Sequence, residues 1–574
     1  MGGPILGFCG GRIDDIDGSE SNLLGPTPEQ EMLYPCETNG KCEKPLGTTT
    51  IGLIYLNPEG PMAQPNPQES VTQIRDTFGR MNMNDSETIA LIGGGHAVGK
   101  THGACKTGAG PSPKEDPEHP WPGTCGEGDG KGKGKNAFTS GFEFPWTTTP
   151  TKWSNQYFHN LLNYSWVLDP KENTPGGHNE WKVDGVSPKA PEAHGNGTQN
   201  IGMLTTDRSL LEDEQYLALL KSFENDEDAF NYAFKHAWYK LTTRDMGPSV
   251  RCLGDSVPPP QDWQYPLPDF NGVLPDFDVV KKDIKALFTI ENKGMFARLA
   301  WQCMSTFRST DYLGGCNGAR IRFEPQSSWD VNNGTKTIIE MLKPVKDTHG
   351  ESLSWADLIT LAGNTEIENM GGNAMVFCGE RTDAQEDGKA SEYLEPRITG
   401  QASETNLLFK EFIGLMGLTT LEYAALHGAG YAIGQPTDCV GLYCRRDTKP
   451  IDKVSNVFFK NLIENEWERN NEEDQCYRTN TDSDLCMYSA DVQFYFDAKL
   501  KVIAEEYASN NDLFLKNLAS AWTKFANADR FDGPTGNVCD NNEVTTTPMY
   551  NHGINLTPVG SIFVFFTIML INLY

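Results

Sequence analysis

Apolar residues recur three and four apart through most of this chain, a spacing that predicts helices. It is clear in IRDTFGRM (74–81), YLALLKSF (216–223), DIKALFTI (283–290) and DLFLKNLASAWTKF (512–525). MFARLAWQCMSTFR (295–308) and SWADLITLAGN (354–364) read the same way. Alternation with a period of two, the mark of a half-buried strand, is scarce. Long glycine-rich loops interrupt the helices. The lysines of CGEGDGKGKGKNAF (125–138) read as a solvated loop rather than a phosphate site.

One helical stretch carries unusual chemistry. Asn84 and Glu87 have the spacing of a capping box, the apolar run Ile89, Ala90, Leu91 and Ile92 follows, and three glycines then present His96. Two readings fit. Gly94 to Thr101 matches G-x-x-x-x-G-K-[ST], the phosphate-cradling P-loop. The same residues fit a haem ligand whose small neighbours let a flat macrocycle approach. A P-loop needs a buried strand before it and an aspartate ending another strand after it. Here a helix start precedes it, and no β/α alternation follows.

The chain also repeats itself. MGGPILGFCGGR from Met1 aligns with MGGNAMVFCGER from Met370, GGGHAVG (93–99) with HGAGYAIG (427–434), and KWSNQYFHNLL (152–162) with KVSNVFFKNLI (453–463). AFKHAWYKL (233–241) aligns with NLASAWTKF (517–525). The order is kept, so one fold is used twice, at a period far too long for a solenoid. Residues 254–276 are proline-rich and read as a linker. The expected organisation is a first copy over 1–253, the linker over 254–276, and a second copy over 277–532. A polar tail (533–558) and a hydrophobic segment (559–574) follow. About ninety residues of the second copy precede Met370, so the first copy is expected to be N-terminally incomplete, and the missing part to carry any signal peptide.

Composition narrows the class. The chain has 574 residues, enough for two or more domains, and 48 basic against 78 acidic residues give a net charge of −30. That charge excludes nucleic acid as a natural partner, because phosphate binding needs a basic surface. There are 14 cysteines. Close pairs at Cys36/Cys42, Cys105/Cys125, Cys439/Cys444 and Cys476/Cys486 suggest disulfides in an oxidising compartment, the alternative being unrelated buried thiols. Sequons at Asn163, Asn196, Asn333 and Asn555 point the same way, whereas Asn84, also in a sequon, is expected to cap a helix. The apolar end, Val559 to Tyr574, resembles a GPI-attachment signal, with a tail anchor as the alternative. A secreted or cell-surface location with possible C-terminal membrane attachment is therefore expected.

GLIYLNPEGP (52–61), RMNMND (80–85), GGHAVGKTHGA (94–104), TSGFEFPW (139–146), TTDRSL (205–210) and RDMGP (244–248) together resemble the bifunctional haem catalase-peroxidases of the class I peroxidase superfamily. The resemblance runs over roughly 1–532. It implies a mainly α fold of two tandem haem-peroxidase-like helical domains, the first incomplete, with one haem b in the first copy. It implies degradation of hydrogen peroxide, oxidation of small organic donors, and a homodimer. On this resemblance His96 is the axial iron ligand, Asp207 the carboxylate behind it, and Trp146 the tryptophan that bonds that carboxylate. Gly95, Gly99, Lys100, Thr101, His102 and Ser140 fall in the haem-binding set. Tyr55 and Met81 match members of a covalent Met-Tyr-Trp adduct, and Arg244 the mobile arginine that serves it in the catalatic half. Asn57 and Glu59 match the channel mouth, and Ser140 its narrow end.

Taken without the motif, a lone Trp is core, a lone Asp after two threonines is a cap, and NPEGP is turn chemistry. In the second copy Tyr431 stands where the ligand should be, Asp447 replaces the tryptophan, and Asp491 keeps the carboxylate. Arg298 and Trp301 stand where a distal Arg and Trp would be, but Gln302 stands in the distal histidine position and cannot act as a base, so this copy is expected to bind no haem and to support the first. The family's own distal triad lies upstream of the match to Met1. The competing expectation is therefore a catalytically dead haem-binding or structural surface pseudoperoxidase.

Overall fold

The computed structural model describes residues 1–14, 56–103, 140–192, 196–386, 394–395, 413–433, 453–469, 477–480 and 485–540. Among them the fold is mainly helical. The first copy contains α1 (Pro67–Arg80), α2 (Asp85–Ala97), α3 (Gln156–Asn163), α4 (Thr205–Ser209), α5 (Glu214–Asn225) and α6 (Glu227–Thr243). Between α3 and α4 the chain makes short strands. β1 (Trp166–Asp169), β2 (Glu180–Val183) and β5 (Gly202–Met203) form an antiparallel sheet in that spatial order, and β3 (Lys189–Pro191) pairs with β4 (Thr198–Asn200). These strands are too short to show in the hydrophobic pattern.

The linker contains a single 3₁₀ turn, Asp262–Gln264. The second copy opens with α7 (Phe277–Lys285), α8 (Met295–Met304), α9 (Thr335–His349) and α10 (Trp355–Asn369). Two of these stop earlier than their apolar spacing predicts. Helix α7 ends at Lys285 rather than near 290, and α8 at Met304 rather than 308. The second copy continues with α11 (Thr420–Ile433), α12 (Val457–Glu464), α13 (Ser489–Phe496), α14 (Ala498–Ser509) and α15 (Asn511–Ala526), then the hairpin β6 (Phe531–Asp532) and β7 (Gly536–Asn537).

The repeat read in the sequence is also a repeat of bonds. Asn84 and Glu87 make a reciprocal capping box at the start of α2, and Thr419 and Glu422 exchange the same pair of bonds at the start of α11. Lys240 of α6 reaches Glu87 at 3.0 Å, and Lys524 of α15 reaches Glu422 at 2.8 Å. Asn155 donates to the Phe223 and Glu224 carbonyls as Asn456 does to those of Tyr507 and Ala508. The Trp153 amide donates to the Met1 carbonyl, and the Val454 amide to that of Met370, both at 2.9 Å. Close helix crossing needs glycine at one matched position. A Cβ on Gly93 would lie 2.2 Å from Phe158, and one on Gly428 would lie 2.4 Å from Phe459.

The described disulfides are Cys9–Cys252, Cys303–Cys316 and Cys378–Cys539. The first and third join matched positions, tying the start of each aligned copy to the segment after its last helix. None is one of the four close pairs expected from spacing; each of those includes a cysteine outside the described residues. The hydrophobic segment 559–574 also lies outside them. No described helix is long and apolar enough to cross a membrane.

Candidate active site

His96 sits in the last turn of α2, and its position follows from the glycines before it. A Cβ on Gly94 would meet Phe234 at 2.1 Å and Trp153 at 2.8 Å, so α2 lies directly on those rings. The position of a Cβ on Gly95 has no atom within 4 Å. That open side faces an apolar cavity of about 400 Å³ lined by Leu56, Phe78, Met81, Ile92, Gly95, His96, Asp207, Trp238 and Leu241, among others. A helix that packs hard on one face and is bare on the other is suited to a flat apolar group. The same helix rules out the P-loop, since α2 occupies the place of the required strand.

Behind the imidazole is a closed polar cluster. Asp207 is fully buried, in the first turn of α4, where its Oδ2 accepts the Leu204 amide at 2.8 Å. Trp146 Nε1–H donates to the same oxygen at 2.8 Å, and the Tyr157 hydroxyl donates to Oδ1 at 2.7 Å. His96 Nδ1 is 3.0 Å from Oδ1, close enough for an ion pair although off-line for a hydrogen bond. The indole of Trp146 stacks on the imidazole, centroids 3.7 Å apart and planes 6° from parallel, and Tyr157 meets its edge at 5.3 Å. Burial alone would raise the Asp207 pKa; His96 and the donors outweigh it and hold the carboxyl below its ordinary value. Burial and the adjacent carboxylate push the Tyr157 phenol well above its ordinary value, so it remains a donor. With Nδ1 against the carboxylate, Nε2 is the imidazole nitrogen left for a metal.

The peroxidase family model matches residues 1–226 and 278–510. The catalase-peroxidase of Escherichia coli is 37% identical over 578 aligned positions, covering 93% of this chain and 76% of that protein. Catalase-peroxidases of Natronomonas pharaonis and Halobacterium salinarum are each 36% identical, covering 93% of this chain and 79% of theirs. The chain belongs to the catalase-peroxidases.

Of the residues that the catalase-peroxidase resemblance singles out, Met81, Gly95, His96 and Asp207 line the cavity, and Trp146 stacks on His96. Tyr55 lies outside the described residues. Gly99, Lys100, Thr101 and His102 continue from α2 into a segment bonded to residues 140–144, away from the cavity lining. Gly99 has φ +80°, Thr101 exchanges hydrogen bonds with the Phe144 backbone, Lys100 pairs with Glu143, and Ser140 Oγ accepts the His102 amide. Glu59 is buried and accepts from the Asn179 amide at 2.6 Å, with His178 Nδ1 at 2.8 Å; Asn57 accepts the Glu59 amide. Sequence reasoning missed His178 and Asn179, which act from a loop that carries no motif, and Tyr157, which lies in the repeated segment 152–162 but aligns with Phe458 in the other copy and so gave no sign of a polar role. Arg244 caps α6 beside the linker, where burial lowers its pKa and Asp311 of the second copy opposes the shift.

The second copy holds a substitution that alignment at Tyr431 hides. His427, one turn earlier on α11, places Nε2 2.6 Å from Asp491 Oδ1, with both side chains buried. Asp491 accepts the Tyr488 amide at 2.7 Å, as Asp207 accepts that of Leu204. The carboxylate position thus keeps an imidazole partner, delivered from the position matching Ile92. Arg298 is buried and donates to the Val331 and Asn333 carbonyls, and burial lowers its pKa to about 10. Asp447 lies outside the described residues.

Proposed function

We infer that this protein is a haem-dependent catalase-peroxidase that degrades hydrogen peroxide, oxidises small organic donors, and protects against oxidative stress. The cluster of partly exposed His96 with buried Asp207 and Trp146, beside the apolar cavity, carries the reading. The residues fit haem b: the bare side of Gly95 admits a macrocycle, and His96 offers Nε2. When bound, haem supplies an iron that peroxide oxidises by two electrons and that a second peroxide or an organic donor reduces.

The chain's own residues hold and tune that site. His96 would hold the iron through Nε2. Asp207 keeps the imidazole proton on Nδ1 and increases the donor strength of Nε2. Trp146 fixes the imidazole plane by stacking and the carboxylate by its indole N–H, and Tyr157 satisfies the second oxygen. Met81, with Tyr55 and Arg244, serves the catalatic half. Asn57 and Glu59, braced by His178 and Asn179, flank Leu56 and Pro58 of the cavity lining, and on the family resemblance they form the channel mouth and Ser140 its narrow end. Gly99, Lys100, Thr101 and His102 set the segment that leaves the ligand helix.

The protein acts in an oxidising compartment, as a secreted or surface glycoprotein and a homodimer. Three disulfides among the described residues and the exposed sequons Asn163, Asn196 and Asn333 support the compartment and the glycosylation, while the homodimer rests on the family resemblance alone. Glycosidase shifts and sedimentation of material from the native source test it.

The central test is haem titration of the full chain, followed by the Soret band, with peroxide consumption measured in parallel. His96→Ala is expected to lose the wild-type axial spectrum and the consumption. A His96→Ala variant that keeps both refutes the assignment.

A further inference from the structure

The turn that carries Arg244 is anchored within the first copy by Cys9–Cys252 and the Arg12–Asp245 pair, and it is gripped by the other copy as well. It runs from the end of α6 to Cys252 and contains two 3₁₀ turns, Arg244–Met246 and Ser249–Arg251. Between them Gly247 has φ +71°, and a Cβ there would lie 2.7 Å from the Asp311 carbonyl and 2.8 Å from Tyr312 Cβ. The second copy therefore presses on this turn at backbone distance. Arg251 is the fastening. Its Nε donates back to the Met246 carbonyl at 3.0 Å, and its guanidinium lies 3.4 Å from the centre of the Tyr312 ring and 4.6 Å from that of Phe531.

Both rings are fixed in turn. Tyr312 and Phe531 meet edge to face at 5.8 Å. The loop bearing Tyr312 is closed by Cys303–Cys316 and by the buried Arg308–Asp311 pair. The linker adds Gln264, which donates to the Gly247 carbonyl at 3.1 Å.

We propose that Tyr312 and Phe531 of the second copy are positioning residues for Arg244, acting through the guanidinium of Arg251. A guanidinium held in the corner between two aromatic rings, away from water, is strongly held. The carbonyl that Arg251 grips is two residues beyond Arg244, so the backbone at Arg244 moves if the stack is lost. The second copy thereby acts on the catalatic half of the reaction selectively. This rests on the reading of Arg244 as a residue of that half.

The test uses the full haem-loaded chain with Tyr312→Leu, Tyr312→Phe and Arg244→Ala. Three things are measured: hydrogen exchange of amides 244–252, the catalatic kcat, and the peroxidatic kcat/KM with a small phenolic donor. Tyr312→Leu is expected to speed exchange of these amides about tenfold and to lower catalatic kcat about tenfold, with the peroxidatic kcat/KM within twofold. Tyr312→Phe, which keeps the ring, is expected to restore both. Wild-type exchange in Tyr312→Leu overturns the proposal, as does equal loss of the two activities. If Arg244→Ala leaves the ratio of activities unchanged, the reading of Arg244 fails instead, and exchange alone decides the positioning. Should Tyr312→Leu fold poorly, Arg251→Lys, which keeps the charge without the planar stack, gives the same readouts.

Discussion

Replacing Asp207 with asparagine changes which imidazole nitrogen carries the proton, and the hydrogen bonds around the carboxylate say why. Oδ2 accepts two rigid donors, the Trp146 indole N–H and the Leu204 amide, both at 2.8 Å. An NH₂ at that position would leave both donors buried and unpaired, at about 1–3 kcal/mol each, or roughly 2–6 kcal/mol together. The side-chain amide therefore places its NH₂ at Oδ1, against the rotatable Tyr157 hydroxyl and His96 Nδ1. There it donates to Nδ1 and drives the imidazole proton to Nε2, the nitrogen needed for iron. Loss of an outer partner of a metal ligand weakens metal binding by about 10–100-fold, or about 1.4–2.8 kcal/mol. Here the wrong tautomer puts the effect at the upper end. The assay is a haem titration of wild type and Asp207→Asn followed at the Soret band, with urea unfolding of the haem-free proteins as control. A dissociation constant within twofold of wild type would refute the tautomer argument.

Three further outcomes are expected. Gly94→Ala drives a methyl group into Phe234 and Trp153 and should destabilise the first copy by about 1–3 kcal/mol, measured by urea unfolding. Gly95→Ala should leave stability unchanged but weaken haem binding, because its methyl enters the space beside His96; equal effects of the two would contradict the geometry. In the second copy, His427→Phe leaves Asp491 buried with its imidazole gone and should cost about 3–5 kcal/mol, with haem affinity in the first copy unaltered.

Glu366 gives a pH dependence. It is buried and accepts the Gly294 and Ala297 amides, yet burial raises its pKa from 4.5 to about 7. The folded state then holds a proton that the unfolded state has released, so this group's contribution is full below pH 4.5 and is lost as pH rises to about 7. Relative to Glu366→Gln, wild type should lose up to about 3 kcal/mol between pH 4.5 and 8, seen in denaturant midpoints. A difference that is flat with pH would sink the assignment.

The helix that carries His96 was legible because its signals are local. The capping box at Asn84 and Glu87, the apolar run and the glycines before His96 all act within a few turns, and the structure forms α2 over Asp85–Ala97. The repeat was legible because equivalent bonds need equivalent residues, such as Lys240 with Glu87 and Lys524 with Glu422. Less local features were not. Tyr157 bonds Asp207 across 50 residues, and His178 meets Glu59 across 119, through a side chain whose neighbours carry no pattern. His427 escaped because alignment compares positions, whereas a helix offers the same face again one turn away. The disulfides likewise pair Cys9 with Cys252 and Cys378 with Cys539, separations that close spacing cannot suggest.

The sequence by itself determined the helical class, the duplication, the helix that carries His96 and the family, since each rests on periodicity or on residue identity in order. Tertiary structure alone decided which side chains surround the carboxylate, how the second copy keeps an imidazole there, and that Arg251 of the first copy is clasped by rings of the second. Those contacts depend on distance in space between segments far apart in the chain, and no local rule of spacing encodes it.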